Sequence, residues 1–328
     1  MRVAVVILNF NGAALLPRFL PSIIKHSDEA DIFIIDNGST DDSINWVENS
    51  HPQVRLIRLE KNLGFCAGYN EGLKLIDADV YVLLNSDVEV TEGWIRAPLE
   101  LLSNDPTIVA VQPKILSLKN KQEFEYAGAA GGFLDLLCYP YCRGRIFDQI
   151  EQDHGQYNDT SEVMWGSGAC SFIRSIDFHR LGGFEPSFFA HMEEIDLCWR
   201  LRRLGKKIFY TGQSTVYHLG GGTLPVSSPR KTYLNFRNNL SLMMRNLRAA
   251  DLLLILPIRL LLDLIAALKF MLEGNAASSL SVLRAWNDFV INLRKEIQKR
   301  RATKELPFVS NSRFERIRVL IWKRYVVS

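Results

Sequence analysis

Through the first third of the chain, apolar residues come in short runs, at 3–8, 32–35, 54–59 and 81–84, unbroken except for Arg55 and Arg58 in the third. Runs of four to six aliphatic and aromatic residues without alternation suit strands buried on both faces of a sheet. Between them lie stretches with helical spacing, at 13–26, from the cap candidates Ser39, Thr40 and Asp41 towards Asn49, and through Ile76. Strands alternating with helices at this spacing predict a doubly wound, mostly parallel α/β sheet. Further on, the pattern predicts a helix over 93–103, a strand over 108–112 that stops at Pro113, and an edge strand over 206–210. Helices follow over 232–247 and 252–272, whereas 119–160, rich in glycine and aromatics, shows no period and reads as a long functional loop or a β-ribbon.

The early apolar runs end in polar or small residues: Asn9-Phe10-Asn11-Gly12, Asp36-Asn37-Gly38 and Asn85-Ser86-Asp87. In open α/β sheets ligands bind at the edge where parallel strands end. Asp87, with Asn85 two residues before it, suits a hard divalent cation and through it a diphosphate; the bland alternative is a turn opener. Asp36 suits a base N–H or a ribose hydroxyl, or it caps the next helix, as Ser39, Thr40 and Asp41 also could. After the third run, Gly64 and Gly68 would let backbone approach a ligand ahead of a helix, although the spacing is neither GxGxxG nor a P-loop.

Composition narrows the class. With 328 residues, 47% hydrophobic and 23% charged, the chain can hold one large α/β domain with an extension. Five scattered cysteines argue against a disulfide framework, and Cys138 and Cys142 have no second pair at zinc spacing. The first apolar run is too short for a secretory leader, so a cytoplasmic protein is expected. The net charge of +3 hides an asymmetry: residues 281–328 hold twelve Lys/Arg against four Asp/Glu. No nucleic-acid-binding motif accompanies that tail.

Four ordered motifs then carry a resemblance. They are Val6 to Gly12, Ile35 to Asp41, Asn62 to Asn70, and Leu84-Asn85-Ser86-Asp87. Together they resemble family 2 glycosyltransferases of the GT-A fold, in particular the bacterial rhamnosyltransferase-like branch. The resemblance implies a nucleoside-diphosphate sugar donor, Mg²⁺ or Mn²⁺, and an inverting transfer. It implies that Asp36 meets the base. Asn9, Asn11, Gly64, Asn70, Asn85, Asp87 and Trp165 would line the donor pocket, and Asp87 with His218 would hold the metal. In the run His191-Met192-Glu193-Glu194-Ile195-Asp196 the family's general base falls on Glu194, where aspartate is more usual. Glu193 and Asp196 compete for that role. Trp165 could equally be a core residue, and His218 a structural one. Arg237 is a candidate for the diphosphate or for an acidic partner.

The expected division is a GT-A domain over 1–235 and a helical, amphipathic and basic region over 236–328. Drawn as a helix, 252–272 puts Arg259, Asp263, Ala266, Lys269 and Glu273 on one narrow stripe, the rest being leucine-rich. Such a helix lies in a membrane interface or packs broadly on protein. With the basic tail it predicts peripheral attachment to the anionic cytosolic face of the inner membrane, or a homo-oligomer contact. The acceptor implied is a saccharide or a polyprenyl-linked saccharide. Two rivals are a sugar nucleotidyltransferase, which would need a cationic glycine-rich loop after the first strand, and a non-catalytic scaffold.

Overall fold

The computed structural model describes residues 1–126, 128–146, 149–220 and 228–304. Four parallel strands form its first half: β1 (Val3–Asn9), β2 (Asp31–Asp36), β3 (Arg55–Arg58) and β4 (Val80–Leu84). They stand in the order β3-β2-β1-β4 and are connected by helices α1 (Leu16–Lys25), α2 (Ser43–Ser50) and α3 (Gly64–Leu73). The unbroken apolar runs have the expected cause. In β1, Val3, Val5 and Ile7 face a core shared with Leu16, Leu20 and Val47, while Ala4 and Val6 face the opposite core with Tyr69 and Leu73. Both faces are covered, so neither tolerates a polar alternate.

The second half is mixed. After β5 (Val88–Val90) and α4 (Arg96–Asn104), β6 (Ile108–Ser117) runs five residues beyond the expected stop. Pro113 is accommodated because it stands opposite Thr211 at a register shift in the partner strand, and a bulge spares the missing N–H. Of the two readings of the aperiodic segment, loop or β-ribbon, the structure takes the second: a small four-stranded antiparallel sheet of β7 (Gly132–Leu134), β8 (Pro140–Cys142), β9 (Arg145–Ile146) and β10 (Gln149–Ile150). β11 (Thr160–Val163), β12 (Cys170–Arg174), α5 (Ser175–Arg180) and α6 (Glu193–Arg203) follow. The expected edge strand is corrected to a long interior one. β13 (Lys207–His218) lies between β11 and β6 and also pairs with β5.

Four helices close the described chain: α7 (Pro229–Asn246), α8 (Ala249–Leu272), α9 (Ala276–Ile291) and α10 (Leu293–Lys304). α7 runs through residue 235, the expected boundary. In α8 the polar stripe points inward. Arg259 and Asp263 are 2% and 0% exposed, while Leu253, Leu254, Leu261, Ile265, Leu268 and Leu272 face out. Arg259 donates to the Leu137 carbonyl at 2.9 Å and to Asn239 Oδ1 at 2.7 Å, and it stacks on Tyr139. Asp263 accepts from Trp286 Nε1 at 2.9 Å and Tyr139 Oη at 3.3 Å. Lys269 and Glu273 stay exposed. The tail residues beyond 304 lie outside the described residues, as do Gly221 and Gly222 after His218. All five cysteines are free and buried, and burial pushes the thiols of Cys66, Cys142, Cys170 and Cys198 up, Cys198 to about 12.

Candidate active site

Parallel register brings the ends of β1, β2 and β4 to one edge, with Asn9 opposite Asp36 and Ile7 opposite Leu84. Asn9 is fully buried, and its Nδ2 donates to Ser39 Oγ and Ser43 Oγ at 3.1 Å each. A Cβ at Gly12 would lie 2.1 Å from Asn9 Oδ1, which explains the glycine. Asn11 Oδ1 accepts from the Thr40 amide at 2.8 Å. Asp36 is buried, and its Oδ1 takes the Ser39 amide at 3.1 Å. It therefore braces the 37–42 turn through that oxygen.

Gly64 opens α3 at φ +81°, under the ring of Phe189. A Cβ there would lie 2.6 Å from that ring. The amides of Phe65 and Cys66 donate to the Phe189 carbonyl at 2.9 and 3.4 Å. Past the ring, Phe189, His191 and Met192 take left-handed φ values of 64°, 70° and 70°, and α6 begins.

α6 carries the acid cluster. Glu193 is buried and Glu194 half-buried, and each has an Oε2 with no hydrogen-bond partner among the described residues. Burial raises Glu194 to about 7, against the downward pull of the backbone amides at its own position and Ile195. Burial, and then the charge of Glu194, also raise the Glu193 carboxyl well above its ordinary value. A Cβ at Gly168 would sit 3.9 Å from Glu193 Oε1, and the neighbouring Ala169 carbonyl accepts from the Asn85 amide at 3.0 Å. Residues 168–169 thus join the acid cluster to the turn that carries Asp87.

Asp87 meets His218, the last residue of β13. His218 Nε2 lies 3.0 Å from Asp87 Oδ1 and 3.5 Å from Asn85 Nδ2, and Nδ1 lies 3.5 Å from Glu125 Oε1. Burial alone would lower the imidazole pKa; the hydrogen bonds and charges of Asp87 and Glu125 override it and raise it to about 10. Sequence reasoning missed Glu125, which sits in the aperiodic segment where nothing marks one carboxylate above another. Asp87 and His218 offer one hard oxygen and one imidazole nitrogen side by side. That donor pair fits a divalent cation that completes its shell with phosphate oxygens and water, provided the ring gives up its proton. Among the described residues no group of three or more His, Cys, Asp or Glu could hold a metal by itself.

Four candidates are spent on structure. Asp196 is fully buried between Arg200 Nε at 2.7 Å, Asn246 Nδ2 at 3.0 Å and Arg245 Nη1 at 3.4 Å. Burial would raise its pKa, but Arg200 and Arg245 pull it below the usual carboxylate range, so it stays an ionised anchor. Asn70 uses both amide ends on the backbone of Phe184, at 2.8 and 2.9 Å. Trp165 is buried, donates to the Phe133 carbonyl at 3.0 Å, and packs where a side chain at Gly132 would be. Arg237 donates to the Ser187 carbonyl at 2.7 Å.

Residues 4–179 match the family model described as Glycosyl transferase family 2. The chain belongs to that family. Among curated relatives it is 28% identical over 233 residues to the N-acetylglucosaminyl-diphospho-decaprenol L-rhamnosyltransferase of Mycobacterium tuberculosis, covering 65% of this chain and 75% of the relative. It is 25% identical over 222 residues to the low-salt glycan biosynthesis hexosyltransferase Agl10 of Haloferax volcanii, covering 65% and 66%. The family 2 fold also matches solved structures. TarS 1-349 of S. aureus in complex with UDP-GlcNAc aligns with TM-score 0.59 and 15% identity, over 93% of this chain and 91% of that one. GalNAc-T7 with UDP, GalNAc and Mn²⁺ aligns with TM-score 0.57 and 19% identity, over 75% and 48%. The fold is GT-A, with a C-terminal helical extension.

Proposed function

We propose that this family 2 glycosyltransferase moves rhamnose or a hexose, with inversion, from a nucleoside-diphosphate sugar to a saccharide or polyprenyl-linked saccharide in cell-surface polysaccharide synthesis. The observation that carries the reading is the acid cluster that opens α6: burial raises Glu194 to about 7, and its neighbour Glu193 faces Gly168, next to the Ala169 carbonyl that holds the turn carrying Asp87. The donor lies along the strand ends, its base side at Asp36 and its diphosphate towards Asp87 and His218. A bound Mg²⁺ or Mn²⁺ supplies positive charge against the leaving diphosphate. Glu194 takes the proton of the acceptor hydroxyl. That oxygen forms its bond to the anomeric carbon as the bond to the phosphate oxygen breaks, and the electron pair leaves on the nucleoside diphosphate. Attack from the opposite face inverts the centre and needs no enzyme nucleophile. The rhamnosyl donor follows the M. tuberculosis relative, and the hexosyl alternative follows the H. volcanii one.

Nucleotide release across UDP-, GDP- and dTDP-sugars tests this reading. Asp87→Asn is expected to lower turnover by about 10², and a chelator is expected to reduce the wild type to background. Turnover indifferent to both would sink the metal-assisted mechanism.

The outward leucines of α8 support peripheral membrane attachment. Among the described residues no helix is long and apolar enough to cross a membrane. A helix that turns its central charges, Arg259 and Asp263, to protein and its aliphatics outward suits the acyl boundary, where each large side chain gains about 1.5–3 kcal/mol on burial. Wild type is expected to float with anionic vesicles, and Leu261→Glu/Ile265→Glu/Leu268→Glu is expected to sink. Equal flotation of both would refute the seat.

A further inference from the structure

Loop 187–192 connects two halves of the site. Its Phe189 carbonyl is tied to the amides that open α3, and its last residues lead straight into Glu193 and Glu194. Three of its side-chain-bearing residues hold left-handed backbone, which all but glycine resist. Such a conformation persists only where its surroundings over-determine it.

Two adjacent residues of α7 do so. Arg237 Nη1 donates to the Ser187 carbonyl at 2.7 Å. Asn238 Nδ2 lies 3.1, 2.8 and 2.7 Å from the carbonyls of Phe188, Ala190 and His191. Asn238 is fully buried, and its amide shares two hydrogens among those three acceptors. The carbonyls of an ordinary turn would fan apart. Here they converge on one nitrogen because the left-handed residues turn them inward.

We propose that Asn238, assisted by Arg237, is a positioning residue: it holds loop 187–192 in its left-handed shape and so sets Glu194 against the donor side of the site. This rests on Glu194 acting as the base. Without the amide, the three carbonyls lose a common donor, the loop relaxes towards right-handed backbone, and the start of α6 shifts. Displacement of a catalytic group by about 1 Å can cost about 10²-fold in rate.

The test compares Asn238→Ala and Asn238→Ser with the wild type, each also combined with Met192→Gly, which accepts φ 70° without strain. Serine keeps one donor and serves if alanine does not fold. Hydrogen exchange needs no substrate and is read first. Faster exchange is expected at the amides of 64–66 and 187–196, with the central strands unchanged, and Met192→Gly is expected to restore part of the protection. Turnover with the best donor from the screen is expected to fall 10- to 100-fold with donor KM within about twofold. Unchanged exchange in that loop, faster exchange throughout the sheet, or no recovery with Met192→Gly would overturn the proposal. Because exchange is independent of chemistry, the clamp can be judged even if no sugar transfer is found, whereas loosened exchange with unaltered turnover would refute its catalytic part alone.

Discussion

Glu194→Gln is expected to lower kcat by about 10²–10⁴ while leaving donor affinity near the wild-type value, because the amide keeps the side chain's shape and loses only its basicity. The wild-type rate is expected to rise with pH through about 7, where burial has moved this carboxyl. Below that pH it should fall about tenfold per unit, since the neutral acid takes no proton. The glutamine variant should lack this limb. A second consequence has the opposite sense. Carboxyls whose folded pKa is raised contribute stability that is present below their unfolded value and lost as pH rises through the folded one. The wild type should therefore lose stability between about pH 4.5 and 7, and Glu194→Gln should flatten that slope. Wild-type turnover in the variant would pass the base role to Glu193.

Arg259→Met is expected to destabilise the fold by about 3–5 kcal/mol, because it strands Asp263 in the interior beneath α8. Burial already raises the Asp263 carboxyl despite Arg259, Trp286 and Tyr139, so losing the cation leaves it partly protonated or badly solvated. For a chain of this size the loss corresponds to a Tm decrease of order 10 °C. Arg259→Met/Asp263→Leu should recover much of it, since replacing a buried pair by apolar groups is often close to neutral. Denaturant melts of the three proteins decide the matter. A single variant within about 1 kcal/mol of wild type would mean that water reaches the pair.

The parallel half of the sheet was legible in the sequence because burial on both faces leaves unbroken apolar runs, and their polar ends name the edge where Asn9, Asp36 and Asp87 meet. β13 was not legible as an interior strand. Its half-buried Lys207 and exposed Gln213 mimic an edge, and only pairing with β6 across the bulge shows otherwise. Glu194 and Asp196 look alike in sequence. What separates them lies 50 residues on, where Arg245 and Asn246 claim Asp196 and leave Glu194 alone. The stripe on α8 was correctly periodic, yet a helical wheel cannot say which side meets protein. Tyr139 and Trp286, which turn it inward, come from other elements.

The sealed state of the cysteines has a practical side. No native thiol is exposed, and raised pKa values keep four of the five cysteines unreactive. A single cysteine placed at Leu264 or Leu272, both on the open face of α8, would thus be the preferred target of a polar maleimide in the otherwise unaltered chain. A spin label attached there tests the proposed membrane seat through its collisions with oxygen and with an aqueous nickel chelate, without a cysteine-free background having to be built first.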